Sequence, residues 1–505
     1  MTKRSVLLVG FITLKFLLQY VLISPEYDLH RDEYLHLDQA HHLAWGYTSV
    51  PPFTSWISTI IYWLGNSVFW VKFFPALFGA LTILVVWQSI KALGGNIYAL
   101  ILGATGVLFS VLLRLNTLYQ PNTFDVLSWT AFYFVLIKYI KTSNVKWLYV
   151  GAVVFALGFL NKYNIVFMTA GLVPAILLTP HRHIFANKHL YFALGLSLLL
   201  ILPNLIWQYV NGFPVIHHMK ELSETQLVNV NKADFFKSQI MFFLGALPVI
   251  LGGLYGVLFY EPLKKYSLFM WSLIFTLAIF SLFKAKDYYA IGIYPIYVAL
   301  GAVFLGEYVN TPGKRHLMFS FMLFPLMVFT MMLRISFPNK TPQHMITAKN
   351  RYKESGQLRW EDGKDHELPQ DYADMLGWKE LAEKVERAYA DATRSGRTLV
   401  LCDNYGQAGA INYYTNNRIN AVSFSADYVN WFDLSRPYLN LIRVKGNSGS
   451  DGELEKTSPH FANAIVADSI ENKYAREYLT RIFVFTGARV DINNRIRSEL
   501  EKVKF

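Results

Sequence analysis

Apolar stretches of helical length recur through the first two thirds of the chain. They fall at about 5–23, 67–90, 96–113, 122–140, 147–160, 163–179, 189–207, 238–260, 266–283, 287–306 and 316–333. About 20 apolar residues are needed to cross the hydrocarbon of a bilayer as a helix. The pattern predicts a polytopic α-helical membrane protein with about eleven transmembrane helices. Residues 53–64 are too short to cross and are expected to be interfacial or re-entrant. After about residue 335 the pattern changes to a mixture typical of a folded soluble domain. Trp378 to Tyr389 has the spacing of an amphipathic helix, Thr398 to Cys402 reads as a buried strand, and Asn404 to Tyr414 reads as a turn into a helix. Asn463 to Ala467 and Arg481 to Phe485 read as further strands. The expected division is 1–335, a membrane domain, and 336–505, a small Rossmann-like α/β domain. The polar stretch from about 336 to 375 is expected to be partly mobile.

Composition agrees with the pattern. Hydrophobic residues make up 53% of the chain and charged residues 16%, against roughly 25% charged in soluble proteins. The 47 Lys and Arg exceed the 35 Asp and Glu by 12. Much of that excess lies in short loops, where it sets topology and does not signal nucleic acid. With Lys3 and Arg4 in the cytoplasm, the cytoplasmic loops gain Lys91, Lys138, Lys141, Lys146, Arg182, Lys188, Lys264, Lys265, Lys314 and Arg315. Eleven spans then put the tail outside the cytoplasm. The start of the chain resembles a signal peptide without a small-residue cleavage site, so an uncleaved first span is expected. A single cysteine, Cys402, excludes an internal disulfide.

The chemistry concentrates on the extracytoplasmic face. The first span is followed by His30-Arg31-Asp32-Glu33-Tyr34 and then Asp38. A carboxylate at the membrane face costs desolvation energy unless it has a partner or a task. Asp32 and Glu33 should open a helix running to about Trp45 and ended by Gly46. On it Asp32, His36 and Gln39 share one side. Helix capping is the bland reading of the acidic pair; a general base is the functional one. His30, His36, His41 and His42 match no closed zinc spacing, and no essential metal is expected, a divalent ion remaining the alternative. Asp125 opens the fourth span on the same face. Lys162, Lys284 and Lys286, with Tyr288 and Tyr289, gather on the side that is usually poor in lysine. They suit a lipid phosphate; snorkelling lysines in an aromatic belt are the structural alternative. The long loop from Trp207 to Lys237 is a candidate lid. Gly406-x-x-Gly409 lacks the rest of a dinucleotide fingerprint, and no nucleotide is expected.

Taken in order, these motifs resemble a family. Asp32-Glu33 after the first span, the Pro51-Pro52 turn, Asn161-Lys162-Tyr163, and Lys284 through Tyr288-Tyr289 to Tyr294-Pro295 are similar to the polyprenyl-phosphate-dependent GT-C glycosyltransferases. The nearest group is the bacterial protein-mannosyltransferase and aminoarabinose-transferase set of family 39. In the tail, Ala373-Asp374-x-x-Gly377-Trp378 and Tyr405 to Tyr414 resemble the extracytoplasmic domain of bacterial members. The resemblance covers nearly the whole chain. It implies transfer of a sugar from a polyprenyl-phosphate carrier to an extracytoplasmic acceptor (protein hydroxyl, lipid A or glycan) with inversion, in the bacterial inner membrane. It implies Asp32 as general base, Glu33 and His36 in support, Asp125 near the acceptor, and Lys162, Lys284, Lys286, Tyr288 and Tyr289 on the donor phosphate. Two departures stand out. Val50-Pro51-Pro52 replaces the Glu-Lys-Pro of aminoarabinose transferases, and it lacks the His that precedes Pro-Pro in mannosyltransferases. A transporter or flippase is the rival class, although no internal repeat is visible. A scaffolding membrane protein is the third.

Overall fold

The computed structural model describes residues 2–225, 227, 230–354 and 356–503. Residues 226, 228 and 229 of the expected lid loop lie outside the described residues. The chain forms two compact units. Unit 1 comprises residues 1–22, 50–54 and 69–337; unit 2 comprises residues 23–49, 55–68 and 338–505. Residues 23–49 and 55–68, which follow the first apolar helix, cluster with the tail.

Unit 1 is helical. Five of its helices are long and apolar enough to cross a bilayer: Lys3–Val21, Val68–Leu93, Asn122–Thr142, Lys188–Val210 and Asp287–Tyr308. Two more candidates are bent pairs: Asn164–Leu177 with Pro180–Ala186, turned by 110°, and Lys232–Phe242 with Leu244–Phe259, turned by 64°. The helices Ile97–Leu108, Lys146–Asn161, Leu268–Leu282 and Leu317–Met332 are apolar but shorter. The stretch expected as one segment at 96–113 breaks after Leu108, because the Ser110 hydroxyl caps a separate turn, Val111–Leu115. Helices such as Lys188–Val210 expose Leu194, Leu198 and Leu199, as lipid-facing helices do. Small residues bring backbones together where helices cross. A Cβ on Gly301 would stand 1.7 Å from the Val249 carbonyl oxygen, so only glycine fits there. Several polar groups inside the bundle are paired. Tyr133 and Ser272 share a 2.8 Å hydrogen bond, and buried Lys15 in the first helix donates to Gln19, whose amide donates to the Asn116 carbonyl at 2.6 Å.

Unit 2 is built on a five-stranded mixed sheet. Its strands are β1 (Thr398–Cys402), β2 (Ala421–Ser423), β3 (Asn440–Lys445), β4 (Phe461–Ser469) and β5 (Arg481–Ala488), in the order β2-β1-β3-β5-β4. β1 pairs in parallel with β2 and β3, and the β3-β5 and β5-β4 pairs are antiparallel. β1 is buried along its whole length, as a central parallel strand should be. Leu399 and Leu401 join Phe483, Phe485, Ile492, Ile496 and Leu500 in one apolar cluster. The spacing of 492, 496 and 500 is the inward stripe of the last helix, Ile492–Val503. The helix Trp378–Ala392 buries Trp378, Leu381, Ala382 and Val385 at the same kind of spacing. It packs on the helix Tyr405–Tyr414 and on the sheet. Each such apolar side chain contributes roughly 1.5–3 kcal/mol by leaving water. The polar stretch 336–375 also buries Tyr352, Leu358, Leu368 and Tyr372. Cys402 is a buried thiol.

The acidic helix spans Arg31–Asp38 and passes into a 3₁₀ turn at Gln39–His41. It is shorter than the expected run to Trp45. Side chains take carbonyls where it ends: the Ser58 hydroxyl donates to the His36 carbonyl at 2.6 Å, and the Tyr47 hydroxyl donates to that of Gln39 at 3.4 Å.

A candidate active site in two clusters

In unit 2 the acidic pair separates into two roles. His30 is the N-cap. Its Nδ1 accepts from the Asp32 N–H at 3.2 Å, and its own N–H donates to Glu33 Oε2 at 2.6 Å. That reciprocal pair is a capping box. Glu33 is fully buried by it. Asp32, one residue earlier, turns outward, with its side chain 35% exposed. Its Oδ1 accepts from the Tyr405 hydroxyl at 2.7 Å, and His30 Nδ1 lies 3.8 Å from Oδ2. Burial opposes the charge. His30, Arg31, the Tyr405 hydrogen bond and His36 outweigh it and hold the carboxyl below the usual carboxylate range. Asp32 is thus an ionised, accessible carboxylate on a capped helix.

The tail supports this helix from behind. The Arg31 N–H donates to the Asp374 carbonyl at 3.1 Å and the Asp28 N–H to that of Met375 at 2.7 Å. His30 Nε2 stands 3.8 Å from Asp374 Oδ2, and Arg476 reaches the same carboxylate at 3.1 Å. Burial raises the Asp374 pKa, against the pull of His30, Arg476 and Arg31. The Arg31 guanidinium lies 4.6 Å from the centre of the Tyr405 ring. His36 sits on the same helix, Nδ1 3.4 Å from Gln39 Oε1. Burial pulls its pKa below the ordinary value, against Asp32 and the Gln39 contact. The four histidines go to different partners: His41 meets Asn417, and His42 stacks on Trp431. Among the described residues no group of three or more His, Cys, Asp or Glu is arranged to hold a metal ion.

Unit 1 holds the second cluster. Asp125 is buried in the first turn of the helix Asn122–Thr142. The Trp129 indole donates to its Oδ1 at 3.0 Å and the Asn164 amide approaches its Oδ2 at 3.4 Å. Lys162 is half-buried between the helices Lys146–Asn161 and Asn164–Leu177. Its Nζ donates to Asn122 Oδ1 at 2.7 Å. It also lies 4.2 Å from the centre of the Tyr289 ring and 5.3 Å from that of Tyr288. Asp125 and Lys286 are both within electrostatic reach of it. The Asn161 amide donates to the Pro121 carbonyl at 2.8 Å and so locks the two segments together. Lys284 stands apart. It is exposed in the left-handed region at φ +49°, and among the described residues its side chain makes no hydrogen bond, ion pair or ring contact.

Sequence reasoning missed Tyr405, Asp374 and His30 in the first cluster and Asn122, Trp129 and Asn164 in the second. For Tyr405 and Asp374 the signal was present in the tail motifs Ala373-Asp374-x-x-Gly377-Trp378 and Tyr405 to Tyr414; His30 was visible as a histidine but not as the N-cap. For the second cluster it was the i, i+4 spacing of Asp125 and Trp129 on one helix face.

Residues 49–207 match a family described as dolichyl-phosphate-mannose-protein mannosyltransferase. A lipid A galacturonosyltransferase, RgtD, of Rhizobium johnstonii is 25% identical over 221 residues, which cover 40% of this chain and 45% of that protein. The aligned part thus spans under half the length of the curated relative. The fold is similar over nearly the whole chain to ArnT from Cupriavidus metallidurans bound to undecaprenyl phosphate. That similarity has a TM-score of 0.63 at 13% identity and covers 96% of this chain and 98% of that one. The apo form of the same protein gives 0.59. The chain therefore has a GT-C fold: a multi-pass helical membrane part and a C-terminal sheet domain.

Proposed function

We propose that this chain, a GT-C protein resembling family 39 in sequence and fold, is an integral-membrane glycosyltransferase. It moves a sugar from a polyprenyl-phosphate carrier to an extracytoplasmic hydroxyl. Asp32 accepts the proton of that hydroxyl. The freed oxygen attacks the anomeric carbon, the bond from that carbon to the phosphate oxygen breaks, and the lipid phosphate leaves with the electron pair. The anomeric centre is inverted. Lys162, framed by Tyr288 and Tyr289, and Lys286 neutralise the phosphate. Lys284 has a place in that set only through its position in the sequence. Asp125 and His36 serve the acceptor side.

The observation that carries this reading is the setting of Asp32: one third exposed, on a helix opened by the His30–Glu33 capping box, and accepting from the Tyr405 hydroxyl. The five long helices, the two bent pairs and the four shorter apolar helices support eleven crossings. With the N-terminus in the cytoplasm, both the first loop and the tail then face outside, in a bacterial inner membrane. Residues 1–335 are the membrane catalytic part and 336–505 the extracytoplasmic domain. The similarity to RgtD, a lipid A galacturonosyltransferase, supports lipid A among the candidate acceptors. The test is transfer by protein in lipid, offered radiolabelled polyprenyl-phosphate sugars (mannose, galacturonic acid, aminoarabinose) with envelope acceptors. Label transfer with inversion is expected. No transfer from any donor, and no binding of undecaprenyl phosphate, would move the transporter reading forward.

A further inference from the structure

The contact between Asp32 and Tyr405 joins residues 373 positions apart, and the surrounding structure is shaped to hold it. Tyr405 opens the helix Tyr405–Tyr414, directly after β1. In the order β2-β1-β3 the parallel neighbours of β1 lie on both sides of it. The carboxyl end of such a strand is where open α/β sheets present functional groups. Here that end presents a tyrosine. The loop beneath it is fixed. Asp403 accepts from Arg443 at 2.5 Å, Lys445 at 3.0 Å and the Gly446 N–H at 2.9 Å. Asn404 caps the helix through the Gln407 N–H at 3.1 Å, and both Asn404 and Gln407 donate to Glu477.

Gly406 and Gly409 cut a notch for the acidic helix. A Cβ on Gly406 would come 3.2 Å from Arg31 Cβ, and one on Gly409 would come 2.8 Å from Tyr34 Cβ. The Gly-x-x-Gly pair that reads weakly as a nucleotide cue is a docking surface for the helix that carries Asp32. The Tyr405 ring is held against the Arg31 guanidinium, and its hydroxyl donates to Asp32 Oδ1. Burial and Asp32 raise the phenol pKa well above its ordinary value, so it stays a donor.

We infer that Tyr405, a residue of the tail, is a positioning residue for transfer: its hydroxyl aims the Asp32 carboxylate and keeps it ionised. This rests on Asp32 being the base. The groups facing that carboxylate within unit 2 include His30, Arg31, His36 and Tyr405, with Asp374 behind His30.

The test compares full-length wild type, Tyr405→Phe, Tyr405→Ala and Asp32→Asn in lipid, with the radiolabelled polyprenyl-phosphate sugar panel as probe. pH-dependent carbodiimide labelling of Asp32 is read in parallel by mass spectrometry. Tyr405→Phe keeps the ring over Arg31 and removes one hydrogen bond to a charged group, so kcat should fall about 10- to 100-fold. The KM for donor and the unfolding midpoint should stay unchanged. The acidic limb of the kcat profile and the Asp32 labelling midpoint should both move to higher pH. Tyr405→Ala should be worse than Tyr405→Phe. If Asp32→Asn is inactive while Tyr405→Phe keeps wild-type kcat, pH profile and labelling midpoint, the positioning role is overturned and the base assignment survives. If Asp32→Asn still transfers, the base assignment fails and the positioning role falls with it.

Discussion

In unit 1 a cation, Lys162, is held by one amide oxygen and two tyrosine faces. In unit 2 a carboxylate, Asp32, accepts from the Tyr405 hydroxyl and feels the Arg31 guanidinium electrostatically. The first arrangement touches the cation through neutral partners, with the Asp125 carboxylate in electrostatic reach, which suits an anion that arrives. The second sets a hydroxyl donor and a guanidinium near a negative charge, which suits the proton acceptor proposed for this position. Asp38, six residues after Asp32 on the same helix, shows how far the setting decides. It is buried, its Oδ2 accepts from Asn412 at 2.6 Å and Tyr428 at 2.8 Å, and among the described residues no cation shifts its titration. Burial pushes its pKa up to about 6, the two donors only partly opposing.

The largest effect is expected at the carboxylate. Asp32→Asn keeps the shape and the helix and removes the proton acceptor. Transfer should drop by about 10²- to 10⁴-fold, the usual worth of a positioned base, with membrane insertion normal. The other side of the comparison is tested with Lys162→Ala. Affinity for undecaprenyl phosphate, measured by equilibrium binding in nanodiscs, should weaken about 10- to 100-fold, as for losing a charged contact. Unchanged affinity would remove Lys162 from the phosphate site.

Asp38 sharpens the contrast through pH. A carboxyl whose folded pKa lies above its unfolded value binds more protons when folded, so stability falls as pH rises through the interval between the two values. From about 4 to about 6, unit 2 should lose on the order of 2–3 kcal/mol through Asp38, at ~1.4 kcal/mol per pH unit. Asn at this position can still accept from Asn412 and Tyr428 without a charge. Asp38→Asn should flatten that slope in thermal unfolding and raise the midpoint at pH 8; a lower midpoint at pH 8 would contradict it. The smallest effect is at the notch. Gly409→Ala should cost about 1–3 kcal/mol by forcing the acidic helix away, read as a lower unfolding midpoint together with reduced transfer.

Much of the fold is visible in the residues because it depends on local pattern. β1 and the helix after it lie where their apolar run and their Asn cap predict. β4 and β5 are found, two or three residues longer at their ends. β2 escapes because three residues carry no period, and β3 because Arg443 interrupts its apolar run. The acidic helix is too long in the sequence reading because its terminators, Ser58 and Tyr47, are not adjacent in the chain. Asp32 and Glu33 look equivalent as neighbours; a His at the N-cap hides the capping box that separates them. Tyr405 and Asp374 were legible only as motifs, since their contacts to 30–32 span more than 340 positions. On the lysine side, Lys162 and the two tyrosines meet as expected, and Lys284 does not join them because its left-handed turn aims it outward.

The measurement closest to the central claim is transfer from a polyprenyl-phosphate sugar by Asp32→Asn beside wild type, with undecaprenyl-phosphate binding recorded on the same preparations. The account requires wild type to transfer with inversion and the variant to bind the carrier equally well yet transfer almost nothing. A variant that transfers at the wild-type rate would contradict it.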